Sequence, residues 1–261
     1  MSKTDAVKFS VEGRLARLTL SRPPLNVMNI AMIKRANEFL GSLSTRGELC
    51  GLLIEAEGPI FSAGVDVPEH RRETVEQMIG TFHQTIHLID ELPMPVVAAV
   101  HGGAYGGGME LAIICDMVLA ADDLKIGVPE ITLGVYPPVA VAHLARMVGF
   151  HRAAELILTG RVLNASDALA MGLVNHVYPS ATFRSEVDAF MAQLTRLSAF
   201  SLRHTRRALR TASLQSFEES LATAESIYLR DLMTGNDPSE GLDAFIEKRQ
   251  PRWKDRWPCI G

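Results

Sequence analysis

The stretch PVVAAVHGGAYGGGMELAIICDMVLAA, residues 95–121, changes character three times. PVVAAV is a run of β-branched and small apolar residues and reads as a buried strand. HGGAYGGG stops that strand with a glycine cluster, MELAIICDM has helical character, and VLAA returns to strand. Strand alternating with helix in this way argues for an α/β protein. One residue resists the pattern. Glu110 stands two residues past the last glycine, at the opening of a run that otherwise reads as buried helix, and a carboxylate there needs a reason.

The flanks extend the same alternation. AVKFSVEGRLARLTL alternates apolar and polar residues on both sides of Glu12-Gly13, which predicts a two-stranded hairpin with one buried face. NIAMIKRANEFLGSL carries Ile30, Ile33, Ala36, Asn37 and Leu40 at helical spacing. GLLIEAE is then a short apolar strand, GPIFSAGVD is rich in turn residues, and a polar helix is expected from about Glu69 to Leu92. Beyond KIGVPE the pattern is mostly helical, over 138–148, 151–159, 165–171, 182–198, 200–212 and 214–234, with LVNHVYP as an isolated strand. No linker rich in Pro, Gly or Ser divides the chain.

Composition excludes several classes. The 261 residues are 47% hydrophobic, enough for a substantial core. Lysine and arginine number 26 against 30 acidic residues, so a net charge of −4 offers no general field for nucleic acid or an anionic membrane. Cys50, Cys115 and Cys259 lie far apart without a CxxC, so buried free thiols are expected rather than a disulfide framework or a zinc ribbon. MSKTDAVKF lacks a basic start followed by an apolar core, and the apolar region 96–121 is interrupted by glycines, Glu110 and Asp116. A soluble cytoplasmic protein is the expectation.

A glycine cluster between strand and helix lets backbone N–H groups face a ligand. HGGAYGGGME fits neither G-x-G-x-x-G nor the P-loop pattern, which weighs against nucleotide phosphate. IFSAGVD is a second turn that follows an apolar strand, and Gly64 there lets the N–H of Val65 point into a cleft. Two such turns can grip one oxygen that gains negative charge during reaction, an arrangement worth roughly 2.7 to 4 kcal/mol per donor. Glu110 lies near that point, and Glu130 in GVPEITLG ends a strand-like segment. Taken singly, Glu110 is a helix-start carboxylate and Glu130 a solvated strand end. His83 and His87 in HQTIH have zinc-ligand spacing, but Phe82, Ile86 and Ile89 between and around them favour a packed amphipathic helix, and no metal site is expected. His101 could orient the glycine turn by hydrogen bonding. The basic run LRHTRRALR, 202–210, lacks interleaved aromatics and reads as a solvated face or a subunit contact rather than an RNA site.

FSAGVD, AYGGGMELAIICD and VPEITLGVYP resemble the successive signature segments of the crotonase (enoyl-CoA hydratase/isomerase) superfamily. LTGRVLNASDALAMGLVNHVYP and AFIEKRQPRWKDR resemble its later segments, so the likeness runs in order along nearly the whole chain. The resemblance implies an α/β fold, a spiral of ββα units with a helical C-terminal region, dividing into a core over 1–198 and a helical region over 199–261 for oligomerisation and CoA contact. It implies trimers or hexamers, an acyl-CoA thioester as substrate, and no cofactor beyond the CoA of the substrate itself. The N–H groups of Val65 and Gly107 become the oxyanion hole and Glu110 and Glu130 the acid–base pair. Ala63 and Asp66 lie along the adenine and pantetheine, while Phe245 and Lys248 match positions at the nucleotide end, often supplied by a neighbouring subunit.

Two departures from the family pattern stand out. Pro68 occupies a place where many relatives have lysine, leaving Arg71 or Arg72 to meet a phosphate. YPPVAVAHLARMVG replaces a glycine-rich stretch, so Pro138, Val139, Ala140 and Val141 should reshape the wall behind Glu130. This variant resembles hydratases of cyclic dienoyl-CoA thioesters such as cyclohexa-1,5-diene-1-carbonyl-CoA in anaerobic aromatic degradation, with straight-chain enoyl-CoA the competing substrate. An isomerase or a thioester or C–C hydrolase would use the same hole with different proton traffic. A non-catalytic RNA-binding or scaffold role is the alternative of another class.

Overall fold

The computed structural model describes residues 6–212 and 215–255. Strands β1 (Val7–Glu12) and β2 (Leu15–Leu20) form the hairpin, paired from Val7 with Leu20 to Glu12 with Leu15. Gly13 turns between them at φ +58°, a conformation glycine adopts without strain. Helix α1 (Ile30–Leu43) starts where Asn29 accepts a hydrogen bond from the Met32 amide, and it buries Met32, Ile33, Ala36, Leu40 and Leu43. β3 (Gly51–Ala56) runs parallel to β2, and α2 (Val75–Glu91) crosses to β4 (Val96–Val100), parallel to β3.

The polar Asn37 is buried between the helices. Its amide donates to the Thr81 carbonyl and its oxygen accepts from the Thr85 hydroxyl at 2.6 Å, which locks α1 against α2.

After β4 the chain makes the short β5 (Gly103–Tyr105), the helix α3 (Gly107–Ile113), β6 (Met117–Ala121) and β7 (Lys125–Gly127). Then come α4 (Pro138–Val148), α5 (Phe150–Thr159), β8 (Val162–Asn164), α6 (Ala165–Met171) and β9 (His176–Tyr178). Helices α7 (Phe183–Thr195), α8 (Ala199–Ala212), α9 (Phe217–Arg230) and α10 (Asn236–Ile246) complete the described chain. The main sheet has the order β1-β2-β3-β4-β6-β9, and β5-β7-β8 form a second, three-stranded sheet.

Both faces of the main sheet are covered, which explains why its central strands are apolar at nearly every position. Leu52, Ile54, Val96 and Ala98 point into the larger core beneath α1 and α2. Leu53, Val97, Ala99 and Leu119 point the other way and meet Val187 and Met191 of α7.

The structure corrects the sequence reading in four places. The segment after Val65 forms a 3-10 turn, Val67–His70, and α2 begins only at Val75, because Arg71–Thr74 is a separate turn closed by the Thr74 hydroxyl on the Glu69 carbonyl. LVNHVYP is not isolated, since β9 pairs with β6 along Leu119–Ala121. The expected 214–234 helix is α9, opened by the reciprocal Ser216–Glu219 cap and followed by a 3-10 turn at Leu232–Thr234.

The basic run of α8 is the fourth correction, because its arginines bind the chain itself. Arg206 is 7% exposed, and its guanidinium meets Asp116 at 2.7 Å and the carbonyls of Ile89, Asp90 and Leu92 at the end of α2. Arg210 bonds Asp116 and Asp90, Arg203 bonds the Gly47 carbonyl and Arg207 pairs with Asp231.

Cys50 and Cys115 are buried free thiols, and Cys259 lies outside the described residues. Among the described residues, no helix is long and apolar enough to cross a membrane.

Candidate active site

Backbone hydrogen bonds bring the two turns together. Ser62 donates its amide to the Gly103 carbonyl at 3.0 Å and accepts from the Tyr105 amide at 2.9 Å, so FSAGVD runs beside β5. The Ser62 hydroxyl donates to the Asn26 carbonyl and accepts from the Gly64 amide, and the segment is held on its other side by Met28. Gly64 has φ +99°, and a Cβ placed on it would come within 2.8 Å of the Tyr105 carbonyl oxygen and 3.3 Å of the Gly107 nitrogen. A Cβ on Gly107 would meet Val65 Cγ2 at 2.7 Å and the Val65 nitrogen at 3.4 Å.

The amides of Val65 and Gly107 are therefore neighbours, and among the described residues neither is paired with an acceptor. Gly107 is the first residue of α3, where an amide has no partner within the helix and the helix dipole favours negative charge. An oxygen acquiring charge between these two donors is stabilised by both.

Glu110 answers its anomaly in the sequence. It lies one turn into α3, is 4% exposed, and its Oε1 accepts from the amides of Val139 at 2.8 Å and Ala140 at 3.0 Å. Helix α4 begins Pro137-Pro138 and has no side-chain cap of its own, so a carboxylate from α3 serves its first turn. Burial pushes the Glu110 carboxyl up to about 7, with the negative charge of Glu130 adding to the rise and the two amides opposing it.

Glu130 sits in the 3-10 turn Pro129–Leu133 that follows β7. Burial raises its carboxyl above the ordinary value, against the pull of its own backbone amide and of His70. Oε1 lies against the backbone of Gly106, where a Cβ would approach it to 2.5 Å, and Oε2 is buried without a hydrogen-bond partner among the described residues. Gly106 holds φ +52° and donates its amide to the Gly127 carbonyl, which brings the end of β7 up to the glycine turn.

The sequence reading set Pro138–Val141 behind Glu130. The structure instead gives Val139 and Ala140 to Glu110, since a helix N-terminus attracts the nearest buried carboxylate. The missing Ser, Thr, Asp or Asn at the start of α4 was the available signal.

The remaining expected residues divide into two groups. Ala63 adjoins the turn through its amide bond to the Leu25 carbonyl, and Asp66 stands 3.9 Å from the Arg22 guanidinium, so both flank Val65. Pro68 is exposed in the 3-10 turn, with Arg71 and Arg72 exposed just beyond it. Phe245, 83% exposed, and Lys248 lie on and after α10, which packs chiefly against α8 and the Leu232–Thr234 turn rather than against the glycine turns. His101 bonds the Gly58 carbonyl at 3.0 Å. Among the described residues, no group of three side chains could hold a metal ion.

A pair of glycine turns beside one buried and one half-buried carboxyl defines a class, and the sequence profile of the enoyl-CoA hydratase/isomerase family matches residues 10–256. The chain belongs to that family. It is 37% identical over 245 residues to a cyclohexa-1,5-dienecarbonyl-CoA hydratase of Thauera aromatica, covering 94% of this chain and 95% of that one. It is 32% identical over 256 residues to a probable enoyl-CoA hydratase of Bacillus subtilis, covering 96% and 99%. The crystal structure of an enoyl-CoA hydratase from Bacillus anthracis superposes with a TM-score of 0.91 at 27% identity, covering 96% and 100% of the two chains.

Proposed function

We propose that this chain adds water across the α,β double bond of an acyl-CoA thioester. The amides of Val65 and Gly107 receive the thioester oxygen, and Glu110 and Glu130 move the protons. The observation that carries the reading is the convergence of two unpaired amides and two raised carboxyls on one glycine turn. Glu110 is pushed up to about 7 and Glu130 is raised as well, and in this reading the two share one proton, one acting as carboxyl and the other as carboxylate. The carboxylate takes a proton from water as its oxygen attacks the β-carbon, the electrons move onto the thioester oxygen, and the carboxyl protonates the α-carbon as the enolate collapses.

The acyl group in this reading is a cyclic dienoyl, supported by the Thauera relative and by the bulky residues that replace glycines at the start of α4. No separate cofactor enters it, since CoA arrives with the substrate. Phe245 and Lys248 serve the nucleotide end of a neighbouring subunit's substrate, and exposed Phe217, Leu221, Phe245 and Ile246 supply apolar surface for a cytoplasmic trimer or hexamer.

Adding the protein to a conjugated enoyl- or dienoyl-CoA should remove the absorbance of the conjugated thioester. Glu110→Gln and Glu130→Gln should each lower kcat by about 10² to 10⁴, and unchanged turnover in either variant contradicts the mechanism. In heavy-oxygen water the label should appear on the β-carbon, an outcome that an isomerase or a thioester hydrolase cannot produce.

A further inference from the structure

Helices α2 and α4 face one another across a cleft of about 600 Å³ whose lining includes Val139, the residue whose amide bonds the Glu110 carboxyl. An acyl chain whose first carbons lie beside Glu110 therefore has this cleft ahead of it. Its polar lining is unusual for an apolar tail. His83, His87 and Asp90 come from α2, His143 and Arg146 from α4, and Arg210 from α8.

Asp90 is the one acid among these lining residues, and it is engaged by Arg210 at 2.6 Å, as is Asp116 behind it. Arg146 has no acidic partner among the described residues, and Nε2 of His83 is buried without a hydrogen-bond partner. Burial holds the imidazoles of His83 and His143 below their ordinary value, and for His143 the charges of Arg210 and Arg146 add to that while Asp90 opposes it. The cleft thus presents one guanidinium without an acidic partner, Arg146, and one imidazole nitrogen without a hydrogen-bond partner, His83 Nε2, while His143 is already bonded to the Ile113 backbone. An anion satisfies both needs, and an apolar tail satisfies neither.

We infer that this cleft holds the far end of the acyl group and selects a substrate that ends in a carboxylate, whether the carbon skeleton is a ring or a chain. This rests on the hydratase reading for the placement of the thioester, and the cleft chemistry supplies the rest.

The test compares trans-2-heptenoyl-CoA with the six-carbon trans-2-enoyl-CoA whose far end is a carboxylate. Wild-type protein should favour the carboxylate by about tenfold or more in kcat/KM, the range of one charge-assisted hydrogen bond. Arg146→Ala removes an exposed side chain outside the proton-transfer site, and it should erase about tenfold of that preference while leaving the methyl-ended substrate unchanged. Equal kcat/KM for the two substrates, or a preference that Arg146→Ala leaves intact, overturns the inference. Calorimetric binding of the two saturated thioesters to both proteins gives the same comparison without turnover. Selective binding with no hydration therefore sinks the reaction and keeps the cleft assignment, and hydration without selectivity does the reverse.

Discussion

The carboxylate of Glu110 accepts the amide proton of Val139 at 2.8 Å, so a single buried acid joins the helix that presents the Gly107 amide to the helix that walls the cleft. The same side chain is a structural cap and, in the proposed mechanism, a proton carrier. Those roles pull its acidity in opposite directions. The α4 amides favour the charged form, and burial together with Glu130 favours the neutral form and prevails.

That balance predicts a pH-dependent stability. The folded-state value near 7 lies above the ordinary 4.5, so the folded protein binds more protons than the unfolded chain between those limits. The stabilising contribution is complete at acid pH and is lost as pH rises through about 4.5 to 7. Glu110→Gln keeps an oxygen for the α4 amides and cannot ionise. Its stability relative to wild type should increase across that window by up to about 3 kcal/mol and level off above it, as read from urea unfolding at pH 5, 6, 7 and 8. A difference independent of pH would show that Glu110 does not change its protonation in this range.

The rate should follow the same proton. Above about pH 7 Glu110 is ionised and, in the proposed mechanism, can no longer deliver a proton to the α-carbon. The kcat/KM profile for a 2-enoyl-CoA should therefore fall on its alkaline side with an apparent pKa near 7, and a plateau extending to pH 9 would be inconsistent with a shared proton.

Gly107→Ala places a methyl carbon 2.7 Å from Val65 Cγ2, beside the second amide. Val65 or the turn that carries it must shift to admit it. Activity should drop by about 10² to 10³, the cost of losing one oxyanion donor, while the far-ultraviolet circular dichroism stays that of the wild type. Full activity in this variant would remove the two amides from the mechanism.

Arg206 should prove structural. Replacing it with alanine removes the guanidinium donor from the carbonyls of Ile89, Asp90 and Leu92 at the end of α2 and strips one partner from Asp116. The cost should be about 3 to 5 kcal/mol, that of breaking a buried pair, measured as a lowered midpoint of chemical unfolding. An unchanged midpoint would return α8 to the status of a solvated face.

The alternating hairpin at Glu12-Gly13 and the helices α4 and α6 are legible in the chain because each carries its own periodicity over six or more residues, and β4 because it is an unbroken run of five apolar residues. The second sheet is not. Each of β5, β7 and β8 is three residues long, too short for a period to register, and they exist because backbone groups of separate segments complete one another. The late start of α2 was likewise invisible, since the turn at Arg71–Thr74 is closed by a hydroxyl rather than marked by glycine or proline.

The chain alone determined that glycines would stand at positions 64, 106 and 107 and glutamates at 110 and 130, which defines the chemistry available. Only the tertiary structure decided that Gly64 would rest against Gly107, that Glu130 would lie on Gly106, and that Glu110 would bind α4 rather than water. The physical reason is that a residue's type is local, whereas its acidity and reach depend on burial and on amides brought in from elements far away in sequence.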